Sequence, residues 1–172
     1  MHETAYLNPA LTIIYEDKRG PEVEHIVYHE EEGIIGFVKD LNKKNEVLHD
    51  VVYFKGEQDG ITVEAAFQYT NEFHENILGF CNNIFNAEGG THITGFKTVF
   101  TTVINSYARE LGILKEKDSN FTGADVRNGM TAIVSIKHPD PRFEGQTKTK
   151  LDNQDASRVT AKVTGDEIQL YF

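Results

Sequence analysis

A strand-like alternation that runs into two prolines constrains this chain more than any other stretch. After Met130, Ala132, Val134 and Ile136 alternate with Thr131, Ile133 and Ser135, the period-2 pattern of a half-buried strand. Pro139 and Pro141 then fix φ and remove two backbone donors, so neither a helix nor a central strand continues through HPDP. The following residues, Glu144-Gly145-Gln146-Thr147-Lys148-Thr149-Lys150, include a glycine and no apolar side chain. Such a segment is expected to face solvent while pinned to a rigid strand at one end, which holds polar groups at a fixed distance from a ligand.

The chemistry on offer there is narrow. Gln146 brings an amide, Thr147 and Thr149 hydroxyls, and Lys148 a compact positive charge on a long stem. No nucleophile has a general base beside it, and no acid pair is present. Donors and cations suit an anion, above all a terminal phosphate. Lys137, Arg142, Lys148 and Lys150 outnumber Asp140 and Glu144, a local balance of +2 in a chain of net charge −10. A solvated turn carrying ordinary surface lysines is the competing reading.

At 172 residues the chain is one domain with, at most, short appendages. The acidic balance argues against a general nucleic-acid-binding surface and leaves room for a local basic strip. Cys81 is the only cysteine, so neither an internal disulfide nor a multi-cysteine metal site is expected. No signal peptide or membrane span is visible. Together these features suit a cytoplasmic protein.

Residues 2–8 have helical character stopped by Pro9. Residues 11–16 and 24–29 read as a hairpin around Lys18-Arg19-Gly20-Pro21. Glu30, Glu31 and Glu32 are placed in the first turn of a helix running to Leu41; adjacent helical positions splay apart, so they are read as structural and not as a metal cluster. Residues 47–54, 60–69 and 75–83 read as strands, the second with one covered face and one wet face. Thr91 is expected to cap the longest helix, 91–111, whose stripe of Phe96, Val99, Phe100, Val103, Ile104, Tyr107 and Leu111 is core. Gly112 ends that helix, and His92 is expected to be a structural hydrogen-bonder. Asp152 or Asn153 would cap a last helix with Ala156, Val159 and Val163 inward, broken at Gly165, and the apolar IQLYF end should be docked. This alternation of elements indicates an α+β or α/β sandwich.

Three blocks share one resemblance. HPDPRFEGQTKTKL, the Asn82-Asn83 pair followed by Glu88-Gly89-Gly90-Thr91-His92, and Thr122-Gly123-Ala124-Asp125-Val126-Arg127-Asn128-Gly129 resemble, in order, signatures of the B subunit of bacterial type II DNA topoisomerases, DNA gyrase and topoisomerase IV. Ala124 and Asn128 stand where the family has acids, and Glu32 where it has a second glycine. The resemblance implies the transducer domain, the second domain of the ATPase region. It implies a two-layer α/β sandwich like the second domain of a small-subunit ribosomal protein, with a mixed, mostly antiparallel sheet and a left-handed βαβ crossover. Residues 1–10 would end the preceding ATPase domain, 11–153 would be the transducer, and 154–172 would begin a linking helix, so truncation at both ends is expected.

The same resemblance implies that Gln146 and Lys148 touch the γ-phosphate of ATP in a neighbouring pocket, with Lys148 also catalytic. Lys97 would be a DNA-cavity contact. Asp125 and Arg127 are expected to order their own turn. ATP and Mg²⁺ would be held mainly by the preceding domain, with no metal ligand and no cofactor on this chain itself. The implied partners are that domain, a second B subunit, a gyrase or topoisomerase IV A-type subunit and double-stranded DNA, with no membrane. Hydrolysis would rotate the domain and couple ATP to strand passage, while this chain alone would be inactive. A non-catalytic interaction scaffold and a small-molecule kinase are the other readings; the lack of a glycine-rich phosphate motif weighs against the kinase.

Overall fold

The computed structural model describes every residue from Met1 to Phe172. A short helix α1 (His2–Leu7) precedes a two-stranded ribbon of β1 (Ile13–Asp17) and β2 (Glu24–Tyr28), paired antiparallel from Ile13 opposite Tyr28 to Asp17 opposite Glu24. Helix α2 (Ile34–Leu41) follows, then strands β3 (Val52–Gln58), β4 (Ile61–Tyr69), β5 (Asn76–Cys81) and β6 (Ile84–Asn86). The long helix α3 (Thr91–Glu110), the single turn α4 (Gly123–Arg127), strand β7 (Met130–Lys137) and helix α5 (Gln154–Tyr171) complete the chain. The main sheet has the order β3-β4-β7-β5-β6. It is mixed: β7 pairs antiparallel with β4 and parallel with β5, and the crossover between the two parallel strands runs through β6, α3 and α4.

Strand β7 lies at the centre and is buried on both faces, not on one. Ala132, Val134 and Ile136 join Phe96, Phe100, Ala156 and Val159 in the larger core under α3 and α5. Ile133, on the opposite face, packs with Tyr6, Ile34, Phe37, Val38 and Phe80. The alternation of β7 therefore separates two cores. Thr131 is polar yet buried because its hydroxyl donates to Asn42 at the end of α2 (2.8 Å), and Asn42 in turn donates to Gln68 (3.0 Å). The same cover corrects β4: its expected wet face is dry at Ala66 and Gln68 and open only toward Thr62 and Glu64. Helices thus lie on both faces of the sheet, α3 and α5 on one, α1 and α2 over part of the other. Burying each core phenylalanine contributes roughly 2–3 kcal/mol, so Phe96 and Phe100, both fully buried, anchor α3 firmly.

Local corrections have local causes. Gly33, not an acid, is the N-cap of α2; Glu30 and Glu32 lie before the helix and bond His2 (2.6 Å) and Lys39 (2.9 Å). Strand β3 begins at Val52, because Val47 makes only an isolated bridge to Thr70. Gly90 caps α3 at φ +143, and Thr91 is its first residue, with a buried hydroxyl that has no partner. A Cβ at Gly90 would lie 2.6 Å from the Leu151 backbone, so only glycine fits. Gly165 does not break α5, which continues to Tyr171. It sits against α3, where a Cβ would meet Val99 at 3.1 Å, as one on Gly95 would meet the Ser157 carbonyl at 2.4 Å. Both glycines let the helices approach. Of the apolar end, Ile168 is buried, while Leu170, Tyr171 and Phe172 are exposed. No helix is long and apolar enough to cross a membrane.

Candidate functional site

The loop after β7 is anchored at its base by two asparagine amides, a histidine and a carboxylate. Asn82 and Asn83 form the β5–β6 turn at φ +49 and +66, a left-handed pair that asparagine tolerates. The Asn82 amide brackets His138, donating to its carbonyl (2.9 Å) and accepting from its N–H (2.8 Å). The His138 ring accepts the Asp140 N–H at Nδ1 (2.9 Å). Nε2 therefore carries the proton and donates it to Asp155 at the start of α5 (2.9 Å). That bond, foremost, holds the Asp155 carboxyl below its ordinary value of 3.8. Asn153 is the N-cap of α5 but turns its side chain to the loop, accepting from the Arg142 N–H (2.6 Å) and donating to the Asp140 carbonyl (3.1 Å).

Beyond this base the loop is a narrow ribbon docked on its neighbour. Glu144 donates to the Lys150 carbonyl (2.8 Å) and Asp152 to the Arg142 carbonyl (2.8 Å). The returning arm lies along the segment that leads into α3: Glu88 donates to Thr149 (2.9 Å), Leu151 to Gly89 (3.2 Å) and Thr91 to Leu151 (3.0 Å). Asn86, buried at the end of β6, donates its amide to the Lys148 carbonyl (2.8 Å). The loop is thus held at both ends, not one, and the Glu-Gly-Gly-Thr-His block is its wall.

At the tip, Gly145 and Lys148 have φ of +82 and +57, and Gln146, Thr147 and Lys148 are exposed. The other cations of the stretch are engaged: Lys150 with Glu144 (3.1 Å), Arg142 with Asp140 (4.0 Å) and Lys137 with the Asn83 side chain. The Lys148 ammonium has neither an ion pair nor a hydrogen bond. The structure therefore brings Gln146 and Lys148 together on one projecting tip, which can meet an anion and offers no nucleophile.

Lys97 lies elsewhere, on α3, and is bonded to Glu75 (2.9 Å), which also takes Arg127 (2.5 Å). Burial pushes the Glu75 carboxyl up, but the two cations outweigh it and hold the group below its ordinary 4.5. Asp125 orders its turn as expected, in a capping box with Thr122, whereas Arg127 reaches across to Glu75. His92 is fully buried with neither ring nitrogen bonded, and burial pushes its pKa down to about 4; it is neutral packing under the β5 strand, not a hydrogen-bonder. Sequence reasoning missed Asn86, whose partner lies 62 positions away; nothing in its local pattern sets it apart. No three His, Cys, Asp or Glu side chains gather as a metal-holding group.

Comparisons with known proteins bear on the whole chain. The family model described as DNA gyrase B matches residues 33–172. The chain is 51% identical over 164 residues to the DNA gyrase B protein of Enterococcus faecalis, covering 95% of this chain and 26% of that protein. With the DNA gyrase B protein of Bacillus mycoides it shares 48% identity over 173 residues, 100% of this chain and 43% of the relative. It thus spans less than half the length of either relative. Among solved structures, the 43K ATPase domain of Thermus thermophilus gyrase B in complex with an aminocoumarin superposes with a TM-score of 0.86 at 32% identity, covering 99% of this chain and 45% of that one. The topoisomerase IV ATP binding domain of Francisella tularensis shares the fold, with a TM-score of 0.80 at 24% identity and coverage of 99% and 45%. With its family match running from residue 33 to the last residue and a relative identical at half of the aligned positions, the chain belongs to the DNA gyrase B family.

Proposed function

We propose that this chain is the transducer part of the B subunit of an ATP-dependent type II DNA topoisomerase, an isomerase of the cytoplasm. Residues 11–153 form the transducer, 1–10 the end of the ATP-binding domain and 154–172 the start of a linking helix, with a left-handed crossover between the parallel strands. The preceding domain holds ATP and Mg²⁺, and Gln146 and Lys148 close over the γ-phosphate. Family membership and the likeness to a gyrase B ATPase domain support this reading. One observation carries it: the Lys148 ammonium is unpaired and exposed on a backbone clamped in the left-handed region. A non-glycine residue there costs roughly 1–2 kcal/mol, and such strain marks functional positions.

The physics then requires closure. An ammonium and a phosphate about 4 Å apart gain about 1 kcal/mol in water and several times that once water is excluded. Docking of the tip into a pocket built by another domain supplies the exclusion, and a charge that develops on the γ-phosphoryl oxygens is stabilised by Lys148. Phosphate release removes the contact and lets the domain rotate, a two-state equilibrium biased by ligand. In the dimer with a second B subunit and the gyrase or topoisomerase IV A-type partner, that rotation couples to passage of double-stranded DNA. For Lys97 the proposal includes a DNA phosphate taking the place of Glu75.

The test is ATP turnover by the intact protein. Lys148→Ala is expected to lower it at least a hundredfold, the cost of losing one preorganised transition-state contact, while this chain alone turns over no ATP. Unchanged turnover would leave the loop a solvated turn and the domain a scaffold.

A further inference from the structure

We infer that Asn86 is a positioning residue for Lys148: its buried amide sets the backbone that presents the ammonium, and it acts on hydrolysis only through that lysine. The inference rests on the phosphate-contact reading proposed above. Four consecutive carbonyls of the returning arm are engaged. Those of Thr149, Lys150 and Leu151 accept backbone N–H groups of Glu88, Glu144 and Thr91. The fourth, of Lys148, accepts only the Asn86 Nδ2 at 2.8 Å. The run of backbone bonds thus stops one residue short of the cation, and a side chain completes it.

Asn86 is suited to that task by its surroundings. It is 2% exposed and sits opposite Gly79 in the β5–β6 pairing. Gly79 in turn lies against α3, where a Cβ would come within 2.8 Å of His92 and 2.9 Å of Ile93. The strand that pairs with Asn86 is therefore packed closely on the start of α3. The amide orientation is unambiguous, since a carbonyl can only accept, so nitrogen faces Lys148. Its Oδ1 is left without a partner, so nothing but the Lys148 contact repays burial of this amide. A buried amide bonded to a single carbonyl sets where that carbonyl sits, the support that a reacting group needs.

Two measurements on Asn86→Leu test the inference. Leucine keeps the branched heavy-atom shape with somewhat more bulk and removes both the donor and the unpartnered oxygen; Asn86→Ala, which removes the donor without adding bulk, serves if leucine lowers the melting temperature. First, trypsin is applied to the folded chain. Proteases cut flexible, extended backbone, so cleavage after Lys148 is expected to rise at least tenfold, while cleavage after Lys44, exposed in a separate turn, stays constant. Second, ATP turnover of the intact protein is expected to fall about tenfold through kcat, with KM for ATP little changed, because misplacing a reacting group by a fraction of an ångström costs rate. In a Lys148→Ala background the same substitution should change turnover less than twofold. Unchanged cleavage after Lys148 overturns the clamp, and an undiminished loss in the Lys148→Ala background overturns the route through Lys148. Should Lys148→Ala alone leave turnover intact, the phosphate reading and the catalytic half of the inference both fail, while the trypsin rates still decide the clamp.

Discussion

Lys148 and Lys97 are both exposed enough to meet a ligand, yet the protein treats them in opposite ways. Lys97 shares Glu75 with Arg127, tying α3 to the segment before β5 and to the end of α4. There the charges themselves hold the structure. Around Lys148 the loop is held by backbone groups, the neutral amides of Asn82, Asn86 and Asn153, and carboxylates paired with other residues: Asp155 with His138, Glu88 with Thr149 and Glu144 with Lys150; the Lys148 ammonium is left over. A cation is available to a ligand when other groups carry the structural task. One that is itself a tie must be released first, and the carboxylate it leaves behind opposes any incoming phosphate.

The sharpest attempt to break this contrast is to remove each lysine from the intact protein. Lys148→Ala is expected to lower ATP turnover about 10²- to 10³-fold, and Lys97→Ala to leave it within about twofold. Equal losses would show that the free and the paired lysine serve the same step.

Acid should separate the two regions next. Burial lowers the His92 pKa from 6.5 to about 4. Below 6.5 the unfolded chain takes up a proton that the folded chain refuses, so this part of the stability is complete above 6.5 and is lost as pH falls toward 4. Between pH 7 and pH 5 the loss is about 2 kcal/mol, measured from urea midpoints, and His92→Leu should abolish it. Glu75, held below 4.5 by its cations, contributes fully above that value and loses its contribution only as pH falls through the lowered one. It adds nothing to the change between pH 7 and pH 5. A pH dependence that survives His92→Leu and vanishes with Glu75→Gln would reverse the assignment.

What the sequence made legible follows the range of the interactions involved. The tip was readable because prolines and a run of polar residues act locally, and so was most of the α3 stripe, where Phe96, Phe100 and Val103 are buried as their spacing predicts; Leu111, expected in the same core, lies just past the helix end and is 58% exposed. Whether Lys148 was free was not readable, since that depends on where Glu144 and Asp140 point. The double burial of β7 was hidden because Thr131 and Ser135 look like an outer face; the partner that makes Thr131 tolerable, Asn42, is 89 positions away. Gly165 looks like a helix breaker until α3 is placed against it. The Gly90 cap displaced Thr91 for the same reason, since Leu151 leaves no space for a side chain there.

Smaller effects sharpen the contrast further. Glu75→Gln removes the carboxylate from two cations in a partly exposed setting and is expected to cost about 1 kcal/mol of stability, read from thermal or urea unfolding. ATP turnover should be unmoved. A large drop in turnover would join the Glu75 cluster to the loop as one unit.

The smallest expected effect is the most discriminating, because one substitution made at both lysines gives different answers. Glycine in place of Lys97 falls inside α3 and should cost about 1 kcal/mol from helix propensity alone, before the lost tie to Glu75. At Lys148, with φ of +57, glycine relieves roughly 1 kcal/mol or more of left-handed strain and adds a comparable entropy cost in the unfolded chain. Stability should therefore stay within about 0.5 kcal/mol of the parent, while turnover falls as it does in Lys148→Ala. A Lys148→Gly chain that unfolds well before the parent would mean that the ammonium holds the loop together, and the tip would then be a structural tie of the same kind as Glu75 with Lys97 and Arg127.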